Sequence, residues 1–224
     1  MLEKRNRVLV LGAGNSREMR VFAGPMEENP EAKVLQFSDV FNEVVTIDMD
    51  PASKPTILWD LEKFPWPIKG SFDEVHGYDV LEHLSTFDEV HAYECLCALG
   101  EVGNFKFFFK LWQQIHDALK SGGIVCATAP WWQSIWAWQD PGHKRVYSAE
   151  LLGYLNQAEY TRQIGKTAMT DYRAFWPKEY NFVLRHSAMT QTKQVDPVTG
   201  EDVYTSDPLR GGYVFVLQKV PYEG

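Results

Sequence analysis

The chain of 224 residues is poor in cysteine, in positive charge and in long apolar runs. Its three cysteines, Cys95, Cys97 and Cys126, are odd in number and have no framework spacing. They argue against a disulfide-stapled secreted domain and for a reducing, cytoplasmic compartment. Cys95-x-Cys97 has no second pair to complete a metal fragment. Lys plus Arg total 22 against 30 Asp plus Glu, a net charge of -8, so no positive field is available for broad nucleic-acid binding. The longest uncharged stretch, Ser121 to Gln139, contains Gly122-Gly123 and Pro130 and does not suit a membrane span. The start of the chain has no signal-peptide apolar core. There is no repeat, low-complexity tract or Gly/Ser linker, so one domain over 1–224 is expected.

What is abundant is aromatic: 14% of residues, eight of them Trp. The hydrophobic share of 45% is ample for a core. Short apolar runs predict buried strands at 7–11, 41–47, 56–59, 72–77 and 124–129. Phe108, Leu111, Trp112, Ile115 and Leu119 lie at helical spacing, so a helix is expected over 107–120, closing at Ser121-Gly122-Gly123 on a left-handed glycine cap. Strands alternating with helices imply a parallel sheet. Two later runs, 181–186 and 212–218, have only a polar, loop-like stretch between them and suggest an antiparallel pair at the sheet edge.

In such a sheet, ligands bind at the carboxyl ends of the strands, where the strand order reverses. Here those ends carry Gly12-Ala13-Gly14-Asn15-Ser16, then Asp48, then Asp60, then Asp79 with Glu82 and His83. Glycine lets the backbone approach a ligand, and a helix N-terminus after it would favour a negative group. Asp48 suits ribose hydroxyls and Asp60 an exocyclic amine. Each feature alone is weak, because a strand-terminal Asp often only caps a turn. Together, in this order, they read as a nucleoside-cofactor site.

The ordered series VLVLGAGNS, VVTIDMD, ILWDLEKFPWP, SFDEVHGYDVLEHL and LKSGGIVCATAP, over residues 7 to 130, resembles the class I S-adenosylmethionine-dependent methyltransferases. The likeness is to the type 11-like group, whose fourth strand runs into "VLEHL". It implies an α/β, Rossmann-like, seven-stranded, mostly parallel sheet with an antiparallel last strand and helices on both faces. It also implies S-adenosylmethionine as cofactor and S-adenosylhomocysteine as product. Carried over by position, Gly12, Ala13, Gly14 and Asn15 form the loop under the methionine part, and Asp48 holds the ribose with Met49 beside the adenine. Asp60 and Leu61 meet the adenine edge, and the backbone at Tyr78 and Asp79 meets the methionine amino group. Residues 78–145 also resemble uncharacterised methyltransferases of tailed bacteriophages.

Three departures stand out. The usual acid two residues before the first glycine is Val10, the third loop glycine is Ser16, and the long gap from Gly14 to Asp48 implies an insertion near 22–32. A dinucleotide-binding oxidoreductase would want glycine where Arg17 stands, and its acid nearer than Asp48. A cofactor-binding protein without transferase activity is a further alternative.

Substrate-side insertions are expected at about 84–110, with His91 and the Phe107–Phe109 run, and at about 131–180. Trp131, Trp132, Trp136 and Trp138 follow the fifth strand and could wall an acceptor pocket or pack as a lid. Asp140-Pro-Gly-His143-x-Arg145 resembles the His-x-Arg segment of the family. His143 is the candidate base, His83 orients the acceptor, and Trp131, Trp132, Trp136 and Arg145 bind it. His83 with Asp79 could hold a metal, but beside Glu82 a plain helix start is the commoner reading, and no metal is assigned. Residues 141–193 hold 8 Lys plus Arg against 4 Asp plus Glu, which suits an anionic acceptor or a solvated face. The expected reaction moves a methyl group to an O or N atom, with a small molecule as partner.

Overall fold

The computed structural model describes residues 4–20, 35–68, 70–85, 105–190, 192–195, 202–205 and 211–224. The predicted insertion near 22–32, His91, Cys95 and Cys97 therefore lie outside the described residues. Seven strands form one sheet: β1 (Arg5–Leu11), β2 (Phe41–Asp48), β3 (Ile57–Leu58), β4 (Phe72–Tyr78), β5 (Leu119–Pro130), β6 (Phe182–Thr190) and, after a separate hairpin of β7 (Thr192–Val195) with β8 (Asp202–Thr205), β9 (Gly212–Lys219). The sheet order is β3-β2-β1-β4-β5-β9-β6. Strands β1 to β5 pair in parallel, and β9 runs antiparallel to both β5 and β6. The last strand is thus the one reversed member, inserted between β5 and β6. The expected fold class and late antiparallel pair are both present. The polar stretch between the two late strands is not plain loop, because it holds the β7–β8 hairpin.

Alternation along β1 explains the layering, because successive side chains leave opposite faces of a strand. Leu9 and Leu11 enter the large core, while Val8 and Val10 enter a small one with Met19, Phe37, Val40 and Phe41. The small core is covered by the short α1 (Phe37–Val40). The large core is built on α2 (Phe105–Ala118), whose Phe107, Phe108, Phe109, Trp112 and Ile115 are buried, so the Phe107–Phe109 run is packing. A short α3 (Trp136–Gln139) follows β5. Residues from α4 (Ala149–Gly153) and α5 (Gln157–Gln163), with Trp176, close the side of the large core.

The helix expected to 120 ends at Ala118. Leu119 leaves it to pair with Phe72 and is itself buried. Gly122, at φ +76°, then serves a bulge where the β4–β5 register jumps, rather than a helix cap. The helix expected after the glycine loop does not begin within 12–20, and 21–34 lie outside the described residues. Segment 12–20 is turn and extended chain, bridged at Glu18 to Gln36. Among the described residues, no helix is long and apolar enough to cross a membrane.

Candidate functional site

The chain goes outward from β1 to β2 and β3, then returns to lay β4 on the other side of β1. That reversal opens a crevice beyond the carboxyl ends of β1 and β4. Gly12 and Gly14 stand at its base with φ of +55° and +51°. A Cβ on Gly12 would sit 2.4 Å from Val80 Cγ2, so only glycine fits there, whereas the space above Gly14 is open.

The glycine loop is tied to β2. The Asp48 carboxylate accepts from Gly14 N–H at 2.8 Å and from Asp50 N–H at 2.9 Å. Each oxygen keeps a lone pair for a further donor. Met49 and Leu58, just beyond and beside it, are 71% and 57% exposed and offer an apolar platform at the ends of β2 and β3. Asp60 accepts from Glu62 N–H at 3.0 Å, a turn-forming role. The Leu61 side chain is buried in the main core, so a ligand at this edge could meet only its backbone. Asn15 is exposed on the loop, whereas Ala13 is half-buried against the small core.

Among the described residues no helix starts behind the loop, and two arginines stand there instead. Arg17 donates to the carbonyls of Gly14, Ser16 and Ser53 at 2.9–3.0 Å. It occupies the position a dinucleotide fingerprint gives to glycine. Arg20 donates to Asp79 Oδ2 at 2.5 Å and lies over the Tyr78 ring at 5.6 Å. Asp79 holds φ +53°, unusual for a residue with a side chain, and also accepts from Thr128 Oγ1 at 3.0 Å. Its half-exposed carboxylate therefore faces the crevice from β4. The Tyr78 hydroxyl turns away, to His76 Nδ1 at 2.6 Å. His76 in turn meets Glu74 at 2.7 Å, and Glu74 pairs with Arg5. Burial pushes the His76 imidazole down to about 3.

Three residues past Asp79, Glu82 is 2% exposed, and neither carboxylate oxygen has a hydrogen-bond partner among the described residues. Burial, helped by Asp79 and Asp140, pushes its carboxyl up to about 8. The Asp140-Pro-Gly-His-Lys-Arg loop is fastened over it. Lys144 and Arg145 N–H donate to the Glu82 carbonyl at 2.7 and 3.1 Å, and Gly142 N–H donates to Asp140 Oδ1 at 2.7 Å. This clamp brings His143 onto His83, with ring centroids 4.6 Å apart. The Arg145 guanidinium lies over the Phe108 ring at 4.8 Å, toward α2.

The tryptophans divide. Trp131 packs on Tyr213 at 5.4 Å, while Trp132 and Trp138 are 41% and 61% exposed. Trp136, at the start of α3, is half-buried. Cys126 is buried, and burial pushes its thiol up to about 12, so it is no nucleophile. A surface groove of about 730 Å³ between α4, α5 and β6 is lined by none of the residues above.

No protein-family model and no curated protein matches the chain. Solved structures do match in fold. One is the complex between the Haloferax volcanii Trm112 methyltransferase activator and the putative methyltransferase: 10% identity, 99% of this chain and 85% of that one, TM-score 0.52. Others are a S-adenosylmethionine-dependent methyltransferase from Clostridium acetobutylicum (9%, 97% and 85%, 0.49) and N-methyltransferase NodS from Bradyrhizobium japonicum with S-adenosylhomocysteine (10%, 96% and 77%, 0.48). The fold is Rossmann-like, the fold shared with the putative methyltransferase of the Haloferax volcanii complex.

Proposed function

We propose that this chain is an S-adenosylmethionine-dependent methyltransferase acting on an oxygen or nitrogen of a small-molecule acceptor. The carrying observation is the Gly14–Asp48 tie at the strand-order reversal, flanked by the Asp79–Arg20 ion pair. The residues fit the cofactor part by part. Asp48 would accept from the ribose hydroxyls, and Met49 and Leu58 would lie along the adenine. The methionine end is a zwitterion, and Asp79 with Arg20 is a matched pair of opposite charges for it. Val10 is 3% exposed, inside the small core, and cannot take that role.

Bound S-adenosylmethionine supplies a methyl group on a sulfonium, a good electrophile whose leaving group is neutral. The protein's work is then alignment and exclusion of water. Trp132, Trp136 and Trp138 would wall the acceptor side, with Trp131 anchoring them to β9. His83 and His143 would meet the acceptor. His143 is the imidazole we assign to the proton of a hydroxyl acceptor. Arg145 is turned onto Phe108, which favours a positioning role through its backbone over direct acceptor contact.

Calorimetric titration with S-adenosylhomocysteine and with NADH tests the reading. The first should bind in the micromolar range and the second should not. Preference for NADH would reject it in favour of an oxidoreductase. Binding without methyl transfer across an acceptor screen would leave a cofactor-binding protein.

A further inference from the structure

Glu82, His83 and His143 converge although 60 positions of chain separate His83 from His143. Their ligand-type atoms all lie within 4.8 Å of one another. A carboxylate with two imidazoles is a donor set suited to first-row divalent cations. Two further observations point to a ligand. Glu82 is only 2% exposed, yet both its oxygens lack a partner among the described residues. A carboxyl in such a place keeps its proton unless a positive charge takes the proton's place.

The second observation is how the imidazoles are held. His83 Nδ1 lies 3.2 Å from the Gly142 carbonyl, a bond it can only donate, which leaves Nε2 as its free lone pair. His143 Nε2 lies 3.7 Å from Asp140 Oδ2, and its buried Nδ1 has no partner among the described residues. The carbonyl bonded behind His83 is an outer partner of the kind that orients metal-bound imidazoles, and the Asp140 carboxylate stands near His143 on the corresponding side. The contrast with Glu74, His76 and Cys126 is instructive. Those three also converge, but His76 spends both ring nitrogens on Tyr78 and Glu74. There the carboxylate is already paired with Arg5 and the imidazole has no nitrogen left for a ligand.

We infer that Glu82, His83 and His143 bind one divalent transition-metal cation, with Asp140 behind His143. Three protein ligands leave coordination positions open, and an oxygen of the acceptor is the natural fourth. With a cation present, His143 would hold the metal instead of receiving the acceptor proton. Binding of the cation does not depend on the methyltransferase reading.

The test is titration of the untagged, chelator-stripped full chain with Zn²⁺ by calorimetry and with Co²⁺ by visible absorption. One equivalent should bind, with d–d bands of nitrogen and oxygen ligation. Glu82→Gln and His143→Asn should each weaken binding by more than about 100-fold, and Asp140→Asn by roughly 10-fold. Cys126→Ser should leave it unchanged. Absence of stoichiometric binding overturns the inference. So does binding that survives both Glu82→Gln and His143→Asn, or that is lost in Cys126→Ser. Circular dichroism on each variant identifies any that fails to fold; the judgement then rests on the folded one. S-adenosylhomocysteine affinity is measured on the same samples. Metal failure with intact cofactor binding sinks only this inference, and the converse sinks only the functional reading.

Discussion

The backbone N–H of Gly14 donates to the Asp48 carboxylate at 2.8 Å, so the glycine loop after β1 is held to the end of β2 by the group proposed to grip the ribose. One carboxylate thus shapes the loop and faces the crevice. Replacing it should cost on both counts. Asp48→Ala is expected to weaken S-adenosylhomocysteine binding by about 1.5–3 kcal/mol, the scale of a charged hydrogen bond. Unchanged affinity by calorimetry would remove Asp48 from the site.

Arg20 supplies a sharper test, because it is proposed to read only the amino-acid end of the cofactor. Arg20→Ala should weaken S-adenosylhomocysteine roughly 10-fold, consistent with a charged hydrogen bond of about 1.5 kcal/mol. Methylthioadenosine, which lacks that end, should bind the variant as well as the parent. Equal losses for both ligands would mean that Arg20 merely supports the loop.

Gly12 is a stability prediction. The backbone there holds φ +55°, and an alanine Cβ would stand only 2.4 Å from Val80 Cγ2, so the substitution meets both strain and a clash. Gly12→Ala should cost about 1–3 kcal/mol in denaturant unfolding, the range for overpacking. Gly14→Ala, with open space above it, should suffer only the backbone strain and lose less.

His116 should make stability depend on pH. It is 8% exposed, ringed by Trp176, Tyr180 and Phe182, with Lys219 Nζ on its own carbonyl at 2.7 Å and Asp117 at 3.8 Å. Burial first, then the Lys219 charge, lowers its imidazole to about 4. The unfolded chain therefore binds the proton more readily. Stability is full above the unfolded value near 6.5 and falls as pH drops toward 4, by at most about 1.4 kcal/mol per pH unit. His116→Gln should remove the His116 share of that slope between about pH 6.5 and 4, leaving the shares of His76 and Glu82, whose shifts act over the same window. A pH profile of stability identical in the variant and the parent would show that His116 takes its proton without cost.

The tryptophan lid predicts a contrast in stability. Trp131 packs on Tyr213, so Trp131→Ala should lose about 3 kcal/mol or more, as for a large aromatic truncation. Trp138→Ala, at a position 61% exposed, should lose within about 0.5 kcal/mol, as for an ordinary surface change. Similar losses would mean that the segment packs as one unit.

Much of the frame is legible in the residue order. The runs at 7–11, 41–47 and 72–77 match β1, β2 and β4 to within two residues, because each contains the apolar residues that the parallel sheet buries, Val8–Leu11, Val45 with Ile47, and Phe72 with Val75. The boundary of α2 is less legible. Leu119 fits the helical repeat, yet burying it against Phe72 draws it into β5. Arg17 is legible only as a missing fingerprint glycine, and Arg20 carries no sequence signal, since a surface arginine after a glycine loop has nothing periodic about it. Glu82 and His83 are visible as a pair, but not as half of a constellation with His143.

Local chemistry, then, already determined the strand repeat, the glycine turn and the acids at the strand ends, because each depends on a few neighbouring side chains and on φ. Only the folded chain decided which of those groups face one another. The Asp79–Arg20 pair and the clamp of Lys144 and Arg145 on the Glu82 carbonyl close loops of roughly sixty residues, a length over which sequence alone carries no geometric memory.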